Sequence, residues 1–416
     1  MDGENTTVSS RQRVKIRFSF EAEYAGLLKD LPWHKPLSQW NRREAKFLDV
    51  KSGLSRHVVR FIEIGNRAFA VKETSAEVAS KELHSYQQIQ RLGVPALLPV
   101  GTVIRDEGLH TVETHLGPQA QPQTTGYIVT QLLDFALPHS FLFRRSFTKA
   151  NRRRIWDAIV RLFVQMHCKG VYWGDASLSN MMIVFAKQPS PEIGIRTVLR
   201  AVLADAETVE VHHALSERLR TSDVEYFLES MAWTEADMKA SGFIRGRVMT
   251  LEDQEYLLRR YMDLFEVERE EQKFELLTKI DVDALLGSFE TSGQSKALLK
   301  HIYEHKWYLS ERVGKEVSLE AAAEDWYRNH FKPVLRLFNE SEILDDLQER
   351  TASSLYLDIM LHKFYLSERV GKDVGLLSAF GDYSRQFKHN DKLMDKLSKL
   401  GRLIQHLLAM DMDLNA

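Results

Sequence analysis

The chain has 416 residues, 44% hydrophobic and 27% charged, with a formal net charge of −2; it is long enough for two or three domains, and no global field favours nucleic acid or a membrane surface. Its single cysteine, Cys168, excludes an internal disulfide framework and fits a reducing compartment. The first twenty residues hold no continuous apolar core of the signal-peptide kind, and no apolar stretch reaches membrane-spanning length, which predicts a cytoplasmic protein without a transmembrane segment.

A polar tip, expected to be disordered, runs through Arg11. Residues 13–20 alternate and predict a strand, a short helix follows over 21–29, and the Trp- and Pro-rich segment 31–40 predicts ordered irregular structure. From 45 to 72 the pattern is β: Lys46–Val50, His57–Ile64, a turn at Gly65-Asn66, then Arg67–Lys72. Residues 75–92 switch to helical spacing, with Val78, Tyr86 and Ile89 on one side, and Gly93-Val94-Pro95 ends that helix. Strands near 99–104, 110–116 and 127–133 complete a mostly antiparallel sheet with one helix.

After about 137 the pattern turns helical. Ile155, Ile159, Leu162, Phe163 and Met166 form an apolar stripe, and Gly170 sits where a C-cap belongs. Two short strands, 181–185 and 198–204, are joined by the polar segment 186–197, and from about 212 onward only helical patterns occur. The last third repeats itself at an offset of 57 residues: aligning 305–328 with 362–385 gives 15 identities in 24 positions. Each copy reads as a helix ending at glycine, a short turn and a second helix, a duplicated helical hairpin rather than a solenoid.

The chemistry concentrates in Gly174-Asp175-Ala176-Ser177-Leu178-Ser179-Asn180, followed by the apolar strand Met181–Phe185. An Asp, four residues, an Asn and then a strand is the layout of a kinase catalytic loop. There the Asp accepts the proton of the attacking hydroxyl and the Asn holds Mg²⁺. Lys72 ends a β-strand as the phosphate-contacting Lys of kinases does, although a solvated Lys is the ordinary reading of that position. Glu82 shares the inward face of Val78 and Tyr86, and an inward carboxylate needs a partner, for which Lys72 is the candidate; Glu77 competes but points away from that stripe. Asp205 follows strand 198–204, where kinases keep a Mg²⁺-binding Asp, in the form Asp205-Ala206-Glu207; a turn cap is the ordinary alternative.

Other features are less specific. His167 reads as a structural histidine. Arg144-Arg145 and Arg152-Arg153-Arg154 read as a solvated loop and helix start, with an anionic acceptor site as the sharper alternative. Glu311/Arg312 and Glu368/Arg369 suggest intra-helical ion pairs. No His/Cys/Glu spacing suggests a zinc site, and no G-x-S-x-G a hydrolase.

Residues from about 45 to 230 resemble the protein-kinase-like superfamily. The run Ala79-Ser80-Lys81-Glu82-Leu83 through Leu92-Gly93-Val94-Pro95-Ala96 is similar to the helix and following loop of bacterial small-molecule and lipopolysaccharide kinases. So is Met166-His167-Cys168-Lys169-Gly170-Val171-Tyr172-Trp173-Gly174-Asp175, where such kinases carry Leu-His, a Gly and His-Gly-Asp. The whole chain resembles bacterial lipopolysaccharide-kinase-like proteins that carry a C-terminal domain of unknown function, to which the His305–Arg312 block belongs. There are departures. Trp173 replaces the usual His, and Ser177 stands where eukaryotic protein kinases keep a Lys. The nucleotide-covering loop, Lys51-Ser52-Gly53-Leu54-Ser55-Arg56, has one glycine, and no Ala-Pro-Glu segment follows Asp205.

The expectation is therefore an α+β, bilobal protein-kinase-like fold followed by an all-helical C-terminal domain: an N-terminal extension over 1–44, a β-rich N-lobe over 45–136, a helical C-lobe over 137–264, and a helical domain over 265–416 with repeats at 305–328 and 362–385. The resemblance implies ATP and Mg²⁺ as cofactors and transfer to a hydroxyl of a small-molecule, glycan or lipid-type acceptor. Lys72, oriented by Glu82, would clamp the phosphates, with Ser52, Gly53 and Ser55 covering the nucleotide. Asn180 and Asp205 would hold the metal, and Asp175 would be the base. The rival expectation is a non-catalytic kinase fold that binds a protein partner through its helical repeats. A third is nucleotide transfer on the same scaffold.

Overall fold

A computed structural model describes residues 14–48, 57–114, 117–133, 136–138, 142–143, 147–190, 194–244, 247–285, 289–340 and 351–385. The chain forms two compact units, residues 1–188 with 196–261, and residues 189–195 with 262–416.

The first unit opens with a six-stranded antiparallel sheet in the order β1-β5-β6-β4-β3-β2. Its strands are β1 (Lys15–Phe20), β2 (Lys46–Phe47), β3 (Val58–Ile64), β4 (Arg67–Ser75), β5 (Leu98–Thr114) and β6 (Gly117–Gln131). Gly65 and Asn66, both at positive φ (56° and 62°), make the two-residue turn that joins β3 to β4. One face of the sheet carries Ile62, Phe69, Val71, Val103, Tyr127 and Val129, packed against Tyr24, Leu28, Trp33, Leu37 and Trp40. Residues 15–40, set apart in the sequence reading as an extension, thus supply an edge strand, the short helix α1 (Ala22–Leu28) and much of that core. The segment Leu31–Trp40 is held by Trp33 Nε1 donating to Leu28 O (2.7 Å) and by an edge-to-face contact of Trp33 with Trp40 (centroids 5.0 Å apart).

Helix α2 (Ala76–Arg91) covers the other face. Ser75 caps it by accepting from Val78 N, Glu77 sits at the positive end and Arg91 at the negative end, and Gly93 (φ 66°) closes it with Val94 N donating to Ile89 O. Side chains alternate along a strand, so Phe69 and Val71 entering the aromatic core sends Lys72 to the α2 side.

The strands β5 and β6 run further than the sequence predicts, as one long hairpin with register shifts between Pro99 and Gly101 and between Asp106 and Leu109. Polar residues such as Gln119, Gln121 and Thr124 hide these extensions from a hydrophobicity reading. A short strand β7 (Ala136–Pro138), where helix was expected, pairs with β9.

Beyond it, α3 (Lys149–Cys168) buries the predicted stripe of Ile155, Ile159, Leu162, Phe163 and Met166, with Thr148 as N-cap. Strand β8 (Val171–Tyr172) pairs with β11 (Glu210–Val211), and β9 (Met181–Ser190) and β10 (Gly194–Leu203) extend into the connection expected to be polar loop. Helix α4 (Glu217–Ala240) follows, capped by Ser216, and α5 (Leu251–Thr278) starts within this unit. The loop after α2 meets β10 through Leu97 N to Leu203 O (2.9 Å) and Leu203 N to Pro95 O (3.0 Å).

The second unit is helical among its described core elements: α6 (Ser292–Val313), α7 (Leu319–Trp326), a π-helical turn (Tyr327–Phe331), α8 (Lys332–Glu340), α9 (Ala352–Val370) and α10 (Gly375–Arg385). Its core gathers Phe274, Leu298, Ile302, Trp326, Phe331, Phe338, Leu355, Tyr356 and Phe380. The repeats are structural as well as sequential. α6 and α9 end at Gly314 and Gly371 in the left-handed region (φ 70° and 72°), and Val317 N and Val374 N donate to the hydroxyls of Ser310 and Ser367. Ion pairs Lys306–Glu316 and Lys363–Asp373 span the turns. Glu311, Arg312, Glu368 and Arg369, where intra-helical ion pairs were expected, are all exposed, and it is the duplicated lysines that bridge the turns. Among the described residues no helix is long and apolar enough to cross a membrane.

Candidate active site

The face of β4 that turns away from the aromatic core presents Lys72 to α2. There the helical period brings Glu82 inward beside Ala79 and Tyr86, while Glu77 stays exposed. Lys72 Nζ donates to Glu82 Oε2 (3.1 Å), and also to Asp205 Oδ2 and Glu207 Oε2, both at 2.8 Å. Lys72 and Glu82 are 9% and 2% exposed, so neither charge would be tolerated without the other. Burial pulls the Lys72 ammonium toward neutrality, but the Glu82 and Asp205 carboxylates outweigh it and hold its pKa above the ordinary range. Glu82 is pushed up to about 7, by burial first and then by Asp205, against the attraction of Lys72. One ammonium shared by three carboxylates makes the most buried acid the first to take a proton.

Asp205 and Glu207 reach this cluster through the turn after β10. Glu207 N donates to Asp205 Oδ1 (3.0 Å), which fixes the Asp205 carboxylate. His57 Nε2 approaches Glu207 Oε2 at 3.4 Å. Burial raises the Glu207 carboxyl, but Lys72 outweighs it and holds the group below its usual range. Glu207 was not singled out from the sequence; a second carboxylate two residues after Asp205 was the available signal.

Asp175 and Asn180 lie on the loop between β8 and β9, whose last turn is the 3₁₀ segment Leu178–Asn180. Asn180 Nδ2 donates to Asp175 Oδ2 and to Asp175 O, both 3.0 Å, so its amide oxygen is turned to neither. Ala204 N donates to Asn180 O (2.8 Å), tying this loop to the Asp205 turn. The loop is anchored from below by Asp223 of α4, which sequence reading missed. Its Oδ2 accepts from Trp173 N (2.7 Å) and its Oδ1 from Gly174 N (2.8 Å). His167 completes the anchor. With Nε2 protonated it donates to Asp223 Oδ2 (3.2 Å) while Nδ1 accepts from Tyr261 Oη (2.7 Å). Burial lowers the His167 pKa against the pull of Asp223, as a neutral structural histidine requires. Asp223 shares one helix face with Phe227 and Ser230, all buried, and that inward Asp was the signal in the sequence. Trp173 is fully buried and packs on Phe163 (centroids 5.7 Å apart).

The structure thus brings Lys72, Glu82 and Asp205 into direct contact and joins Asp175 and Asn180 to them through Ala204. Ser52, Gly53 and Ser55 lie outside the described residues. In the arginine cluster, Arg152 and Arg153 are engaged by the protein itself. Arg152 is paired with Asp253 and donates to Val248 O (3.1 Å), and Arg153 lies over the Tyr256 ring (4.9 Å). These cations pin α3 to the start of α5; Arg144 and Arg145 lie outside the described residues.

The element order, with a Lys–Glu pair between strand and helix and an Asp-x4-Asn loop facing an Asp-bearing turn, is that of a protein-kinase-like fold. Residues 319–387 match a family described as a domain of unknown function, DUF4032. No curated protein matches the chain. Solved structures similar to it include WaaP in complex with acyl carrier protein, at 18% identity over 62% of this chain and 94% of that one, with a TM-score of 0.38. An aminoglycoside-3'-phosphotransferase of type VIII matches at 13% identity over 54% of this chain and 95% of that one, TM-score 0.30. The Rio2 kinase from Chaetomium thermophilum matches at 13% identity over 56% and 75%, TM-score 0.31.

Proposed function

We propose that this chain is an ATP- and Mg²⁺-dependent phosphotransferase acting on a hydroxyl of a small-molecule, glycan or lipid-type acceptor. The observation that carries the reading is Lys72 held between Glu82 and Asp205, beside a loop that presents Asp175. In this reading Glu82 orients the Lys72 ammonium toward the phosphates. Asp175 accepts the proton of the acceptor hydroxyl as its oxygen attacks the γ-phosphorus, and Asn180 holds the Asp175 carboxylate in place. The donor set fits Mg²⁺: Asp205 and Asn180 offer a carboxylate and an amide oxygen, the hard ligands that this cation takes. Bound there, the cation would neutralise charge on the transferring phosphates. A compact acceptor is favoured because only residues 206–215 separate Asp205 from the α4 cap Ser216, and β11 occupies part of them, leaving little chain for a protein-docking platform.

The reading is tested by a thermal shift of the full chain with ATP, with and without Mg²⁺, beside Asp205→Ala and Asp175→Asn. A Mg²⁺-dependent rise that Asp205→Ala loses and Asp175→Asn keeps is expected. Across a panel of hydroxyl acceptors, Asp175→Asn should lower turnover by about 10²–10⁴. No shift at millimolar nucleotide would sink the reading. Mass spectrometry of the product separates a phosphate from a nucleotide adduct.

A second reading, a kinase fold used for binding, is favoured by one observation. The repeats expose equivalent aromatic pairs, Trp307/Tyr308 (56% and 64%) and Phe364/Tyr365 (62% and 59%), suited to a protein partner. It expects Asp175→Asn to be silent and alanines at Tyr308 and Tyr365 to abolish partner binding.

A further inference from the structure

The two repeat units share a histidine–aspartate contact between their helices: His305 Nε2 to Asp325 Oδ2 at 2.7 Å, and His362 Nε2 to Asp382 Oδ2 at 3.0 Å. Hairpin packing accounts for a contact present in both. It does not account for His330, which the 57-residue offset aligns with Phe387. His330 lies in the π-helical turn Tyr327–Phe331, a departure from α-helix that concentrates at functional sites. The turn brings the His330 ring against that of His305, with centroids 4.6 Å apart. One ligand atom from each of His305, Asp325 and His330 lies within 4.8 Å of the others. Asn329 Nδ2 donates to Asp325 Oδ1 (2.9 Å), fixing the carboxylate with Oδ2 toward His305.

We propose that His305, Asp325 and His330 form a Zn²⁺ site, with two imidazole nitrogens, one carboxylate oxygen and a fourth position for water or another ligand. Tetrahedral zinc with bonds of about 2.0–2.1 Å sets its ligand atoms about 3.3 Å apart. The short His305–Asp325 contact opens slightly to reach that spacing, and the exposed His330 side chain closes by rotation. Two imidazoles select a borderline-soft cation over the Mg²⁺ preferred by the all-oxygen set at Asp205 and Asn180. The charges of Arg312 and Lys363 reach His330 and oppose the metal, whereas Asp325 favours it. Sequence spacing gave no hint of the site, because His305 is on one helix and its partners lie twenty or more residues on.

The test is titration of the metal-stripped full chain with zinc chloride, followed by calorimetry, with the d–d absorption of Co²⁺ reporting geometry. One Zn²⁺ per chain is expected, with a Kd of about 10 μM or tighter and a tetrahedral Co²⁺ spectrum. His330→Phe, which installs the residue of the second unit, should weaken it at least about tenfold, and Asp325→Asn likewise, while His362→Ala leaves it unchanged. Thermal unfolding in EDTA checks that the His330 variants fold; His330→Gln, nearer in size and polarity, is read in the same way. Failure of the native chain to bind zinc at 100 μM (about ten times the expected Kd) would overturn the proposal. So would His330→Phe and His330→Gln binding as well as the native chain, or His362→Ala weakening binding equally. None of these outcomes bears on Asp175 or Asp205, so the kinase reading stands or falls separately.

Discussion

Glu207 Oε2 lies 2.8 Å from Lys72 Nζ, giving the ammonium a third carboxylate beyond the Glu82 and Asp205 that the kinase arrangement calls for. One positive and three negative groups sum to −2 when all are ionised, which disfavours an anionic nucleotide. Removing the Glu207 charge by Glu207→Gln should raise affinity for metal-free ATP by roughly 3–10-fold, the size of one partly screened charge–charge term. The Glu82 carboxyl should fall back from about 7 toward the ordinary range. Its sign is fixed: a raised carboxyl pKa means the folded state binds the extra proton, so this group's contribution to stability declines as pH rises from about 4.5 to about 7. Calorimetry with and without Mg²⁺ reads the outcome. A loss of Mg·ATP affinity in Glu207→Gln would instead make Glu207 a metal ligand.

Asp223, 1% exposed, is the keystone beneath the Asp175–Asn180 loop. Asp223→Ala leaves Trp173 N, Gly174 N and His167 without their shared acceptor, at a cost of about 3–5 kcal/mol. Asp223→Asn keeps one acceptor oxygen but turns an amide donor toward the other N–H, and should cost about 2 kcal/mol or more. Urea unfolding checks both. A midpoint unchanged in Asp223→Ala would show that the loop is held by other contacts.

The residues legible in the sequence share one property: their identity and their element can be read together over a short window. Lys72 closes an apolar strand, Glu82 falls on the face of an amphipathic helix, and Asp175 and Asn180 are fixed by a five-residue spacing. Glu207 and Asp223 escape this kind of reading because their partners are 135 and 50 residues away. The same limit applies to Arg152, read with its neighbours as part of a solvated loop and helix start: its partner Asp253 lies 101 residues on. The long β5–β6 hairpin was hidden by its polar composition, since ladder pairing holds strands that hydrophobic alternation does not mark.

That Arg152–Asp253 contact makes stability depend on acid. Burial raises the Asp253 carboxyl, but Arg152 and Thr250 together bring it down to about 2 from a usual 3.8. A depressed carboxyl stabilises the fold above its unfolded pKa and loses that contribution as pH falls through about 4 toward about 2. The contribution is about 1–2 kcal/mol after allowing for its partial exposure. Asp253→Asn should therefore destabilise the chain at pH 7 by about that much and narrow the gap to native protein near pH 2. Parallel pH profiles that never converge would assign the loss to packing rather than to charge.

Two glycines with nearly the same backbone angle separate conformational strain from collision. Gly170 (φ 75°) and Gly314 (φ 70°) both end helices in the left-handed region. At Gly314 an added Cβ meets nothing within 4 Å, so Gly314→Ala costs only the left-handed penalty, about 1 kcal/mol. At Gly170 the same Cβ would stand 2.1 Å from His212 O, against the backbone that returns a hydrogen bond from His212 N to Gly170 O (2.8 Å). Relief requires β8 and β11 to part, and β8 leads directly into Asp175. Gly170→Ala should thus cost about 3 kcal/mol or more. It should also suppress the Mg·ATP-dependent activity sought at Asp175, whereas Gly314→Ala leaves that activity intact. Equal shifts of the unfolding midpoint for the two alanines would show that the β8–β11 contact yields without cost.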